Sequence, residues 1–250
     1  MSLTTIATEN GIATVTLSRP KVNAFNEEFV DHLRDTFRQL EADKDVRAVI
    51  LTGQGSFFSF GLDVPELHGY SQAEFTRFLT KFTSLYLTMF EFSKPLVAAI
   101  NGHAVAGGFM IATPCDYRVM VSGRAKIALN EITFGSAVFA GSLEILKCVV
   151  GHRNAELFAL GGKMYSAKEA QKLGLIDEVV SSEALLDQAN AAATEMAERD
   201  TVAFAQIKKL LRGPVAERIK QAEAASIRRF VEIWYAPATR EKTKGIVIKG

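Results

Sequence analysis

Only two of the 250 residues are cysteine, Cys115 and Cys148, and they stand far apart in apolar surroundings. That excludes a disulfide framework or a thiolate metal cluster and predicts two buried thiols in a reducing compartment. An excess of one charge is lacking too. The 29 basic residues nearly cancel the 28 acidic ones, so the chain has no electrostatic footprint of a nucleic-acid binder. No apolar run reaches the roughly 20 residues of a membrane span. The opening MSLTTIATENGIATVTL has no basic leader before an apolar stretch, and no SKL-type address closes the chain. A bacterial-type cytosol is the expected location.

Familiar catalytic signatures are absent as well. There is no G-x-G-x-x-G after the first strand, no P-loop and no G-x-S-x-G. The four histidines, His32, His68, His103 and His152, fall in no metal-binding spacing. A nucleotide fold, a metallohydrolase and a Ser-His hydrolase are all disfavoured. His32 reads as a surface residue and His152 as the start of a helix, while His68 and His103 lie nearer the glycine loops described below and are candidates for ligand contact.

What remains is an ordinary globular composition, 48% apolar and 23% charged, long enough to bury a real core. TTIATENGIATVTLS reads as two strands turning at Asn10-Gly11. Phe29, Leu33, Phe37 and Leu40 share one helical stripe behind Asn26, a plausible N-cap, and VRAVILTG follows as an apolar strand. A long helix is expected at about 71–92, then the strand PLVAAIN, a glycine turn, a short helix and a strand at DYRVM. This alternation predicts a largely parallel sheet covered by helices. Beyond residue 180 the pattern is helical, with separate helices expected over TVAFAQIKKLLR and PVAERIKQAEAASIRRFVEIWY.

Two glycine loops end apolar stretches: Gly61 in SFFSFGLDV and Gly107-Gly108 in GHAVAGGFMIA. Glycine lets backbone approach a ligand closely, so two such loops could aim a pair of amides at one oxygen. They could equally serve tight turns and close helix packing. Glu131, in AKIALNEITFGS, follows a strand and has no oppositely charged neighbour within four positions. Apolar surroundings would raise its basicity, as a general base requires, although an acid in the first turn of a helix would look the same. Asp63 and Asp116 sit beside turns, where aspartate commonly accepts from backbone amides.

Five ordered segments, SRPKVNAFN, FFSFGLDVPEL, KPLVAAINGHAVAGGFMIATPCDYRVM, IALNEITFGS and AKEAQKLGLIDEVV, resemble the enoyl-CoA hydratase/isomerase, or crotonase, superfamily over about residues 3–180. The resemblance implies a β-β-α spiral core over 1–195 and a C-terminal helical oligomerisation region over 196–250. It also implies an acyl-CoA thioester substrate, no separate cofactor because coenzyme A is part of that substrate, and a homotrimer or dimer of trimers. No nucleic acid or membrane is expected as a partner.

Carried over by position, the oxyanion-hole amides become those of Leu62 and Gly107. Hydratases of the superfamily use two glutamates; here one position is Met110 and the other Glu131. The hydratase-type PGAGG run is replaced by SAVFAGS. Both departures resemble the Δ3,Δ2-enoyl-CoA isomerases, with Glu131 as the single base and fatty-acid β-oxidation as the default setting. Phe109, Met110, Phe134 and Phe139 are expected to wall the acyl chain. For coenzyme A, backbone at Ala24 and Phe60 is implied, with Lys21 and Lys249 as candidate phosphate contacts. A crotonase-type hydrolase, dehalogenase or decarboxylase working through His68 or Asp63 stays open, as does a catalytically idle acyl-CoA-binding subunit.

Overall fold

The computed structural model describes residues 3–246 and residue 248. β1 (Thr4–Glu9) and β2 (Ile12–Leu17) form the expected antiparallel hairpin, with Asn10 and Gly11 at φ 50° and 79°. α1 (Glu27–Ala42) begins at Asn26, whose side chain accepts from the Phe29 N–H at 3.0 Å. It buries the predicted stripe of Phe29, Leu33, Phe37 and Leu40.

The chain then makes one move three times: a strand, a sharp corner, a second short strand, and a helical segment. β3 (Ala48–Gly53) turns into β4 (Phe57–Ser59), followed by α2 (Val64–Leu67) and α3 (Gln72–Glu91). β5 (Leu96–Ile100) turns into β6 (His103–Val105), followed by α4 (Gly107–Ala112). β7 (Tyr117–Val121) turns into β8 (Lys126–Ala128), followed by a 3-10 turn over Glu131–Phe134. The long strands join a six-stranded sheet ordered β1-β2-β3-β5-β7-β10, parallel except for the opening hairpin. The short ones build a second, four-stranded sheet ordered β4-β6-β8-β9.

Two glycines make these corners possible. A Cβ on Gly102 would lie 2.1 Å from the Ser56 oxygen, and one on Gly53 would lie 2.4 Å from the Phe57 oxygen. This is the β-β-α spiral. One parallel sheet was expected from the alternation of elements; the second sheet escapes that reading because three-residue strands are too short to display a period.

The rest of the chain completes the shell: α5 (Ala140–Gly161), β9 (Tyr165–Ser166), α6 (Ala167–Lys172), β10 (Glu178–Val180), α7 (Leu185–Ala197), α8 (Thr201–Tyr235) and α9 (Pro237–Lys244). α5 is kinked at Gly151 (φ 73°), so His152 does begin a helical segment, where it pairs with Glu156. The two helices expected after residue 200 are a single one, α8, running through Pro214. Proline removes one backbone bond, but Leu210, four residues earlier, is exposed and water can serve its carbonyl.

Packing of α8 on α3 and α5 overrides the local break. Phe230 stacks on Phe139 at 4.5 Å and Trp234 lies 4.9 Å from Phe75. Near its start, Lys208 and Arg212 clasp the partly buried Asp116 at 2.6 and 2.7 Å. Cys115 is buried as expected, whereas Cys148 is exposed on α5, on the outward side of the helix. Among the described residues no helix is long and apolar enough to cross a membrane.

Candidate active site

The site is built from the loop after β4 outward. Asn23, at φ 52°, donates its side-chain amide to the Phe57 and Phe58 carbonyls at 3.0 and 3.2 Å, pinning the loop before α1 to β4. Ser59 Oγ donates to the Asn23 carbonyl at 2.7 Å and accepts from Gly61 N at 3.0 Å. Phe25 N then donates to the Gly61 carbonyl at 2.7 Å. A trans peptide is planar with its C=O and N–H opposed, so this bond turns the Leu62 N–H away from α1.

The second loop is fixed by the same principle. Met110 N donates to the Ala106 carbonyl at 3.1 Å inside α4, which leaves the Gly107 N–H projecting from the start of that helix. Among the described residues neither the Leu62 nor the Gly107 amide has a protein acceptor. Gly61 is at φ 99°, and a Cβ there would sit 2.8 Å from Gly107 N, so only glycine keeps that amide open. Ala106, between the loop and the helix, is held at φ 49° and ψ −117°, a strained conformation for a residue with a side chain.

Glu131 opens the 3-10 turn, which Gly135 ends in the left-handed region (φ 75°) while Ser136 N donates to the Glu131 carbonyl at 3.0 Å. The carboxyl is buried and its Oε2 has no hydrogen-bond partner. Burial raises its pKa to about 8, opposed only by a hydrogen bond from its own backbone amide. Together with Leu62 and Ala106 it lines a cavity of about 410 Å³, a volume suited to a small organic ligand.

Phe134 and Phe139 line the same cavity, and so does Phe60, whose backbone the resemblance implied for coenzyme A. Phe109 and Met110, in contrast, point into the core: Phe109 packs on Phe158 at 5.7 Å, Met110 is 3% exposed, and neither is a cavity-lining residue. Because α4 lays its first turn against the cavity, its later side chains face the helices behind. Lys21 and Ala24 lie in a separate groove with Arg19, which donates to the Ala24 carbonyl at 2.8 Å. Lys249 lies outside the described residues.

Of the open candidates, His103 does line the cavity, its Nδ1 accepting from Lys126 N at 3.2 Å. Burial and the Lys126 charge hold it below the usual imidazole value. Asp63 caps α2 through Glu66 N and pairs with Arg19 at 2.7 Å, and Asp116 accepts from Leu96 N, so both act structurally. The sequence reading missed Asn130 and three wall residues from the end of the chain, Phe230, Trp234 and Ile246. The i, i+4 aromatic pair Phe230 and Trp234 was the available signal, but it is equally that of a core helix. Among the described residues no group of three His, Cys, Asp or Glu side chains could hold a metal ion.

Fold and cavity define an α/β core in which one buried carboxylate shares an apolar chamber with a loop whose amides are unspent. The chain belongs to the enoyl-CoA hydratase/isomerase family, whose model matches residues 7–247. It is an acyl-CoA enzyme of the crotonase superfamily. It is 32% identical to mouse mitochondrial enoyl-CoA delta isomerase 1 over 88% of this chain and 77% of that protein. It is 29% identical to a probable enoyl-CoA hydratase of Bacillus subtilis over 100% of this chain and 97% of that one. Its fold is similar to that of human mitochondrial delta3-delta2-enoyl-CoA isomerase, with a TM-score of 0.93, 29% identity, and coverage of 97% of this chain and 96% of that one.

Proposed function

We propose that the protein moves the double bond of a 3-enoyl-CoA to the 2-position. The ionised Glu131 removes a proton from C2, the electrons pass into a dienolate, and the thioester oxygen gains negative charge between the Leu62 and Gly107 amides. Protonated Glu131 then returns the proton to C4, leaving a C2–C3 double bond conjugated with the thioester. Preorganised donors of this kind contribute several kcal/mol, and loss of one costs about 3 kcal/mol in other enzymes.

One observation carries the choice of reaction. Among the described residues lining the cavity, Glu131 is the only carboxylate. Hydration needs a water held and activated while a proton is delivered, a task shared by two acids, whereas transposition needs one base that gives and takes the same proton. Met110 leaves the second position without an acid. Similarity to hydratases is comparable to similarity to isomerases, so sequence identity alone does not separate the two reactions. The coenzyme A portion is assigned to the groove holding Lys21 and Ala24, and no separate cofactor is called for.

The deciding experiment is a paired assay with 3-hexenoyl-CoA and 2-hexenoyl-CoA. Formation of the conjugated thioester from the first without water addition to the second supports transposition. Rapid hydration of the second would overturn it.

A further inference from the structure

The cavity wall changes character behind Trp234. Trp234 is 1% exposed and lines the cavity, yet its indole N–H has no hydrogen-bond partner. Its ring packs at 5.6 Å on that of His68, whose Nε2 is also buried and unpaired. His68 is one turn behind another wall residue, Val64, to whose carbonyl it donates its backbone N–H at 3.0 Å. Arg240, from α9, donates through one Nη to the His68 carbonyl at 3.0 Å and lies over the Tyr235 ring at 5.3 Å. Its other Nη is buried without a partner.

Three unpaired polar atoms on touching residues are unusual, because buried donors and acceptors are nearly always satisfied. Two of the three belong to groups that can only donate, the indole and the guanidinium. Among the described residues Arg240 forms no ion pair. The carboxylates of this region are already engaged: Asp63 and Glu66 with Arg19, and Glu241 with Lys244. Burial and the Arg240 charge hold the imidazole of His68 below its usual value, so at neutral pH it adds no positive charge of its own. A plain hydrocarbon tail would leave every one of these groups unanswered.

We infer that the polar cluster formed by the cavity-lining Trp234 with His68 and Arg240 behind it receives a carboxylate at the far end of the acyl chain, so that the favoured substrate is the CoA half-thioester of an unsaturated dicarboxylic acid. The inference rests on the assignment of the cavity to an acyl-CoA and deepens it. Val64 and Trp234 carry the chain past Glu131, and the indole and guanidinium donors bind the terminal oxygens. A carboxylate offers the acceptors that two fixed donors lack, and a charge-assisted bond to Arg240 is the strongest available there.

The test uses unreactive saturated ligands, so that it reads binding and not turnover. Affinities of the full-length protein for adipoyl-, suberoyl- and sebacoyl-CoA are compared by calorimetry with those for hexanoyl-, octanoyl- and decanoyl-CoA. At the matching length the carboxylate ligand should bind about tenfold tighter or more. Arg240→Gln and Trp234→Phe should each bring that ratio close to one. Damage to the fold alone would weaken both ligands of a pair and leave their ratio unchanged. A ratio near one at all three lengths in the wild-type protein, or a preference that survives both substitutions, overturns the inference. Failure of every acyl-CoA to bind would also overturn the assignment of the cavity itself.

Discussion

Gly162 backs directly onto Ile132: a Cβ at 162 would lie 2.7 Å from Ile132 Cγ2 and 2.8 Å from Thr133 Cγ2. Gly162 caps α5 at φ 56°, so the end of that helix and the turn carrying Glu131 are seated against each other by the absence of a side chain. Gly162→Ala should therefore displace the turn and lower kcat for isomerisation by about tenfold or more, since shifts of about 1 Å near reacting groups are costly. Steady-state kinetics beside a thermal melt would check this; a loss of melting temperature with kcat intact would refute the positional link.

Glu131→Gln should abolish transposition while ligand affinity persists. With the carboxyl pKa raised to about 8, kcat/KM of the wild-type enzyme should climb with pH and level off above that value, because only the ionised form accepts the C2 proton. A profile flat between pH 6 and 9 would argue against this base.

The same group bears on stability. Its folded pKa is raised above 4.5, so between about pH 4.5 and 8 the folded state holds a proton that the unfolded state has lost. Stability therefore falls as pH rises through that window, by a contribution on the order of 5 kcal/mol as an upper bound. Glu131→Gln should be more stable than wild type at pH 9 and nearly equal to it at pH 4. Denaturant titrations at the two values decide the sign.

Gly61→Ala introduces a Cβ in front of Gly107 N and forces alanine to φ 99°. The loss in kcat should be about 100-fold or greater, with substrate KM changed far less, as for removal of an oxyanion donor elsewhere. An equal loss in KM and kcat would mean that the loop had collapsed.

On α8, Ile207, Leu210 and Leu211 are 58, 67 and 72% exposed and fall within an arc of about 100° on the helix. Such an apolar face is suited to meeting another copy of the chain. Leu210→Glu combined with Leu211→Glu should lower the mass measured by light scattering toward that of a single chain; a mass unchanged by both substitutions would argue against a role for this face in association.

Legibility followed the range of the interactions. The Asn10-Gly11 hairpin and the Asn26 cap are local chemistry, complete within a few residues, and both stand where the sequence places them. Glu131 was legible as a carboxylate without a partner, but its burial depends on walls contributed by residues 100 positions later. Phe109 and Met110 share the glycine turn's segment without sharing its orientation, since rotation along α4 sends successive side chains to different faces. The unbroken α8 and the second sheet depend on packing partners that no local period records.

The spiral places Leu62, Gly107 and Glu131 within the first 131 residues, whereas Phe230, Trp234 and Ile246 reach the cavity from the last part of the chain. One part of the chamber wall therefore comes from a stretch of the coding sequence separate from the one that holds the residues assigned to chemistry. Selection can reshape which acids fit by altering one helical terminus, leaving the proton-transfer apparatus untouched; during synthesis, the apolar chamber stands open until that terminus arrives to close it.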